Sequence, residues 1–308
     1  MKCKDLVSVA ELESSDIDEL FSLTGEMKES TKRGDTDLCL AGKTLGMIFE
    51  KSSMRTRVSF EVAMTQMGGH AIYLTKHDIN LGERESIKDV SKVLSRFIDC
   101  IAIRTYDHKT VTELANCSSI PVINALSDYT HPCQALTDLY TVKEKAGSLD
   151  NIKFVYVGDG NNVARSLALL CAKLKVSFTI ASPKNYELSA EFLDELESNV
   201  KGKDSYILQT SDPVEAVKDA DVIYTDTWIS MGEEEEAETR RKDFNGFQVN
   251  SELISNAKKD VFVMHCLPAH RGEEITNEVI DGVHSIVYDQ AENRLHVQKA
   301  LLKRLINR

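Results

Sequence analysis

The six residues Ser52-Ser53-Met54-Arg55-Thr56-Arg57 hold two arginines, two serines and a threonine, a set suited to gripping an anion. They follow a short apolar run, Gly46 to Glu50, and precede apolar residues at helical spacing (Val58, Phe60, Val62, Ala63, Met67). A strand, a polar turn and a helix start leave several backbone N–H groups aimed at one spot, which favours negative charge. Arg55 offers a planar fork that suits phosphate oxygens. Ser53 can bond such an oxygen, or simply cap the helix while both arginines stay solvated. The stretch alone leaves an oxyanion site and a capped helix both open.

The elements around it narrow the choice. Apolar spacing over Leu12 to Lys32 predicts an amphipathic helix. Strand-like runs then fall at about 45–50, 70–75, 100–105 and 121–126, separated by helical patterns at 55–67, 86–97 and 109–117. A helix from near Pro132 to Gly147 leads to a joint at 147–151. The alternation restarts with strands at 152–157, 176–182, 205–210, 221–227, 261–267 and 285–289. Helices are predicted between them at 162–174, 187–199, 213–219, 250–257 and 276–281, with a closing helix at 290–306. This predicts an α/β protein of two doubly wound domains with mostly parallel sheets and an active site in the cleft between them. The expected division is 1–146 and 147–289, with the last helix (290–308) packing back on the first domain. Ligands in such folds sit beyond the carboxyl ends of the strands. Arg104 ends one strand and His131 follows another, so both should share an edge with the Ser53 to Arg57 turn.

Composition removes other classes. A net charge of -12 argues against nucleic acid as the main partner. No run of eighteen apolar residues exists to cross a membrane, and the first residues lack the apolar centre of a secretory signal. Seven dispersed cysteines without a Cys-x-x-Cys pair read as reduced thiols, hence a cytoplasmic protein. Lys153 to Arg165 imitates a dinucleotide-binding turn through Gly158-x-Gly160, but Val163 takes the third glycine position. The next strand closes on Ala181-Ser182-Pro183 without the carboxylate that ribose would need. Asn161 and Asn162 at that helix start could donate to a small substrate or simply cap the helix. His265, Cys266 and His270 make a poor zinc set. Cys266 and Trp228 each have an ordinary core role as the alternative, His131 a helix-capping role and Arg294 an exposed one.

Five motifs now stand in order: Ser53-Met54-Arg55-Thr56-Arg57, His131-Pro132-Cys133-Gln134, Asp226-Thr227-Trp228-Ile229-Ser230-Met231-Gly232, His265-Cys266-Leu267-Pro268 and Gln290-Ala291-Glu292-Asn293-Arg294. Over essentially the whole chain the set resembles the ornithine carbamoyltransferases, within the aspartate/ornithine carbamoyltransferase family. The resemblance implies carbamoyl transfer from carbamoyl phosphate to the δ-amine of L-ornithine, giving citrulline and phosphate. It implies no metal, no cofactor and no covalent intermediate, and a homotrimer or a multiple of trimers. By position, Ser53, Met54, Arg55 and Thr56 would hold the phosphate, and Arg104, His131 and Gln134 the carbamoyl end. Arg104, His131 and Thr56 would polarise the carbonyl. Asn162, Asp226, Ser230 and Met231 would hold ornithine, Cys266 and Leu267 would line the site between the substrates, and Arg294 would reach in from the last helix. Arg57 is expected to brace the turn or a subunit contact.

One departure stands out. Asn80 occupies the loop where the family's ornithine enzymes commonly place glutamine, a loop that in family trimers reaches the neighbouring subunit's carbamoyl phosphate. Met54 replaces the family's usual threonine, at a position that acts mainly through its backbone. The Ser230-Met231-Gly232 loop points to ornithine rather than aspartate or putrescine. Two alternatives remain at this stage: a carbamoyl phosphate-binding protein without turnover, which Asn80 favours, and a nicotinamide dehydrogenase.

Overall fold

All but one of the strand-like runs form parallel strands, and each sheet reverses its strand order once. The computed structural model describes residues 3–200, 207–230 and 232–307. The chain divides into two units, Met1–Tyr140 with Glu292–Arg308, and Thr141–Ala291. In the first, strands β1 (Thr44–Phe49), β2 (His70–Thr75), β3 (Cys100–Arg104) and β4 (Val122–Leu126) form a parallel sheet in the order β2-β1-β3-β4. In the second, β5 (Lys153–Val157), β6 (Ser177–Ala181), β7 (Ile207–Thr210), β8 (Val222–Thr225) and β9 (Phe262–His265) run β7-β6-β5-β8-β9, again all parallel. The doubly wound α/β expectation is borne out for both units.

Burial follows from this layering. β3 and β4 are buried at every residue, as strands covered on both faces must be, whereas β2 lies at an edge and exposes His70 and Ile72. Behind the first sheet pack Ile48, Ile101, Ile103, Val111, Leu114 and Val122. The second unit's core joins Val155, Val157, Ile223 and Val263 to Trp228, Phe244 and Phe247, so the only tryptophan serves packing. Gly160 has a packing reason as well. A Cβ there would stand 2.7 Å from the Glu187 carbonyl, and its N–H donates to Tyr186 O at 2.7 Å. The second glycine of the apparent dinucleotide turn is therefore required by a neighbouring backbone.

One expected element fails. Residues 285–289 do not form a strand: Ser285 makes only an isolated bridge to Val263, and a helix begins at Val287 and runs to Ile306. Ile286 N–H still donates to Val263 O, so a single rung survives before helical bonding takes over. The helix expected at 250–257 is one turn, Ser251–Ile254, and that at 86–97 is Ile87–Leu94. Residues 205 and 206 of the expected strand at 205–210 lie outside the described residues. Among the described residues no helix is long and apolar enough to cross a membrane.

The strand orders fix where ligands go. The strand order reverses between β1 and β3 in one sheet and between β5 and β8 in the other. Crevices open outside the carboxyl ends of strands at such reversals. The segments after β1, β3 and β4, and after β5, β8 and β9, carry nearly all of the expected site residues.

Candidate functional site

In the first unit the site is built around Arg294. Its Nη2 donates to Thr56 Oγ1 at 2.9 Å, its Nη1 donates to Gln134 Oε1, and Nη1 lies 3.5 Å from His131 Nε2. Gln134 Nε2 in turn donates to Asp138 Oδ1 at 2.8 Å. All of these side chains are buried, as is Arg104 at the end of β3. A guanidinium only donates, so His131 accepts at Nε2 and carries its hydrogen on Nδ1. Burial, then the nearby Arg294 and Arg104 charges, push the His131 pKa well below the usual histidine value. The imidazole is therefore neutral at pH 7 and presents one N–H donor beside two guanidinium groups. Such a cluster can stabilise an oxyanion.

The turn before it behaves in two ways at once. Ser53 caps the helix Met54–Gln66, its hydroxyl accepting from Thr56 N–H at 3.3 Å. Met54 is 69% exposed and Arg55 half-buried. Arg57 points away: it pairs with Glu61 at 2.9 Å and stacks over the Tyr73 ring at 4.0 Å. It braces the helix against β2. Asn80 sits apart as well, in a left-handed conformation (φ 48°) after the short helix Lys76–Ile79, with its amide donating to Glu83 at 2.9 Å.

In the second unit the centre is Asp226, just past β8. Its Oδ1 accepts from Thr227 N–H at 2.8 Å and from the Cys266 thiol at 3.0 Å, and its Oδ2 accepts from Asn161 Nδ2 at 3.1 Å. The carboxyl is thus aimed by three segments and can receive a cation. Asn161 also caps the helix Asn162–Leu174, accepting from the N–H groups of Val163 and Ala164. By sequence both asparagines fit, and the family resemblance implies Asn162, which is half-buried at the first helical position. The one that orients Asp226 is Asn161. Its capping position was readable; its contact with Asp226, 65 residues away, was not.

Two supports were missed altogether. Leu267, at φ 58°, donates its N–H to His265 Nδ1 at 2.8 Å, and His265 Nε2 bonds Glu274 at 3.0 Å. Both His265 and Glu274 are fully buried. The ring therefore carries its hydrogen on Nε2 and locks the turn that holds Cys266. Arg240 clamps the loop with Ser230: it meets Asp159 at 2.8 Å, Glu233 at 3.0 Å and Glu236 at 3.1 Å. Glu233 accepts the Ser230 N–H at 2.9 Å. Met231, the remaining expected ligand, lies outside the described residues.

Comparison with known proteins gives matches along the whole chain. Residues 4–144 match the family model described as aspartate/ornithine carbamoyltransferase, carbamoyl-P binding domain, and residues 150–305 its Asp/Orn binding domain. A Thermoplasma volcanium protein named "Ornithine carbamoyltransferase, catabolic" is 50% identical over 307 residues, covering 100% of each chain. A Pyrococcus furiosus protein named "Ornithine carbamoyltransferase, anabolic" is 51% identical over 299 residues, covering 97% of this chain and 95% of its own. The solved structure titled as the Pyrococcus furiosus ornithine carbamoyltransferase superposes with a TM-score of 0.95 at 50% identity, covering 98% of this chain and 97% of that one. By sequence across its whole length and by fold, this chain belongs to the aspartate/ornithine carbamoyltransferase family.

Proposed function

We propose that this chain transfers the carbamoyl group of carbamoyl phosphate to the δ-amine of L-ornithine, giving L-citrulline and phosphate. The observation that carries the proposal is chemical complementarity: one sheet's reversal point holds buried donors for an oxyanion, and the other's holds a triply braced carboxyl for an ammonium group. Full-length relatives named ornithine carbamoyltransferase support it.

In this proposal the Ser53 to Thr56 turn and Arg55 receive the phosphate, with the backbone N–H groups that begin the helix. Arg104, His131 and Thr56 polarise the carbonyl, and Gln134 and Arg294 fix their positions. Asp226 takes the α-ammonium of ornithine and Asn162 its carboxylate, with Ser230 and Met231 as further ornithine-binding residues. Cys266 and Leu267 line the path between the substrates. The neutral δ-nitrogen attacks the carbonyl carbon, and charge gathers on the carbonyl oxygen. The C–N bond replaces the C–O bond to phosphate, phosphate leaves with the bonding pair, and the surplus amine proton is released. Each donor aimed at the charged oxygen contributes about 3–4 kcal/mol where water is excluded. Orientation supplies much of the rest.

We further propose a biosynthetic role in the cytoplasm and assembly as a trimer or a multiple of trimers. The exposed apolar side chains of Met54, Val58, Ile72 and Phe97 on the first unit support assembly. Asn80, in its exposed loop, is proposed to reach a neighbouring subunit's substrate. The direction of the reaction is read from the ratio of citrulline synthesis to citrulline phosphorolysis.

The substrate assignment is tested with Asp226→Asn. The proposal expects KM for ornithine to rise by at least tenfold while carbamoyl phosphate affinity, measured by calorimetry, stays within threefold. Equal loss of both affinities would contradict it.

A further inference from the structure

Three side chains in the loop after β9 meet in a way that the sequence does not announce. His270, Glu273 and Glu274 each bring one ligand atom into a group whose members all lie within 4.8 Å of one another. Glu274 is fully buried. Its Oε1 accepts from His265 Nε2 at 3.0 Å and from the His270 N–H at 2.6 Å. Its Oε2 has no hydrogen-bond partner and lies 4.0 Å from His270 Nδ1. Glu273 repeats the pattern: Arg241 holds Oε1 at 3.1 Å, while Oε2 is buried and unpartnered. Thr227 Oγ1 lies 3.0 Å from His270 Nδ1, a contact that a metal would displace by turning the hydroxyl away.

Two buried carboxylate oxygens left unsatisfied in one loop call for a positive partner. Both Arg241 contacts, from Nη2 at 3.1 Å and Nε at 3.2 Å, go to Glu273 Oε1, which leaves the two Oε2 atoms unserved. Two atoms bound about 2.1 Å from a shared ion stand roughly 3 to 4.2 Å apart, and the 4.0 Å between Glu274 Oε2 and His270 Nδ1 falls in that range.

We infer that this loop binds one divalent transition-metal ion through His270 Nδ1, Glu273 Oε2 and Glu274 Oε2, with water completing the shell. Two carboxylates and an imidazole select manganese, cobalt or zinc over copper(I), which needs sulfur, and the imidazole disfavours calcium and magnesium. The ion would tie the loop to the turn around Cys266, because Glu274 reaches Leu267 through His265. Binding itself does not depend on the carbamoyl transfer proposed above.

Cobalt(II) is the probe. The full chain, treated with a chelator and dialysed, is titrated with Co²⁺ and followed by visible absorption and calorimetry. One equivalent should bind, with ligand-field bands and no thiolate charge-transfer band. Affinity should fall at least tenfold in His270→Ala and in Glu273→Gln, neither of which removes a fully buried side chain, and should survive Cys266→Ser. Circular dichroism checks that each variant is folded. Folded parent protein that takes up no stoichiometric Co²⁺ would overturn the inference. So would a thiolate band lost in Cys266→Ser, which would assign the ion to Asp226, His265 and Cys266, whose ligand atoms also lie within 4.8 Å of one another.

Discussion

Replacing Arg294 by methionine keeps much of the side-chain volume but removes the guanidinium that joins three segments of the first unit. Two charge-assisted hydrogen bonds disappear, to Thr56 Oγ1 and Gln134 Oε1. At about 1.5–3 kcal/mol each, their loss amounts to roughly 3–6 kcal/mol of site organisation, or about 10²- to 10⁴-fold in kcat/KM. The loss should appear in kcat as well as KM, because the displaced groups are those proposed to face the carbonyl oxygen. A second signature is electrostatic. Arg294 is one of the two charges that hold His131 neutral, so its removal should let the imidazole pKa rise towards the usual value. The assay is citrulline formation across pH 5 to 9 on folded protein, with the His131 ring followed by NMR. The acid limb should move to higher pH in the variant. A kcat/KM within threefold of the parent, with an unmoved acid limb, would refute the assignment of Arg294 as the organiser of this half-site.

The remaining predictions concern the second unit. Gly160→Ala should destabilise it by about 1–3 kcal/mol, because the new Cβ would meet Glu187 and Leu188 backbone atoms at 2.7–2.8 Å; urea unfolding checks this, and a change under about 0.5 kcal/mol would contradict the packing account. Burial pushes the Asp159 pKa up to about 6, against the opposing pull of Arg240. Below that pH the carboxyl protonates and weakens one of the three carboxylate contacts of Arg240, so KM for ornithine should rise as pH falls through 6. Its effect on stability has the opposite sign: with the folded pKa raised, its stabilising contribution is complete below the unfolded value of 3.8 and is lost as pH rises through about 6. The displacement corresponds to roughly 3 kcal/mol, measurable as the difference between the parent and Asp159→Asn at pH 4 and pH 7; equal differences at both pH values would refute it.

The sequence carried more of the frame than of the supports. Runs such as Cys100–Arg104 and Lys153–Val157 are apolar nearly throughout because both faces of their sheets are covered, and that pattern survives in one dimension. Arg104 at a strand end and His131 after one follow directly from the frame, whereas Asp226, just past β8, was reachable only through the family resemblance. Arg294 was reachable only through the family resemblance, since its partners Thr56 and Gln134 are 238 and 160 residues away. Asn161 illustrates a subtler loss: a capping asparagine gives the same local signal whether or not its amide reaches a distant carboxylate. His265–Glu274 and the Arg240 clamp are long-range or loop-held pairings with no periodicity to betray them. The misread strand at 285–289 has a local cause, because Ile286 and Val287 favour a strand while one rung to Val263 is all the sheet receives.

The central claim is the choice of amine, and it is tested most directly by supplying the purified chain with carbamoyl phosphate and ornithine, aspartate or putrescine in separate reactions. Product quantified by mass should be citrulline, formed from ornithine at a rate far above those with the other two amines. Absence of citrulline above background, or a faster rate with aspartate or putrescine, would contradict the account.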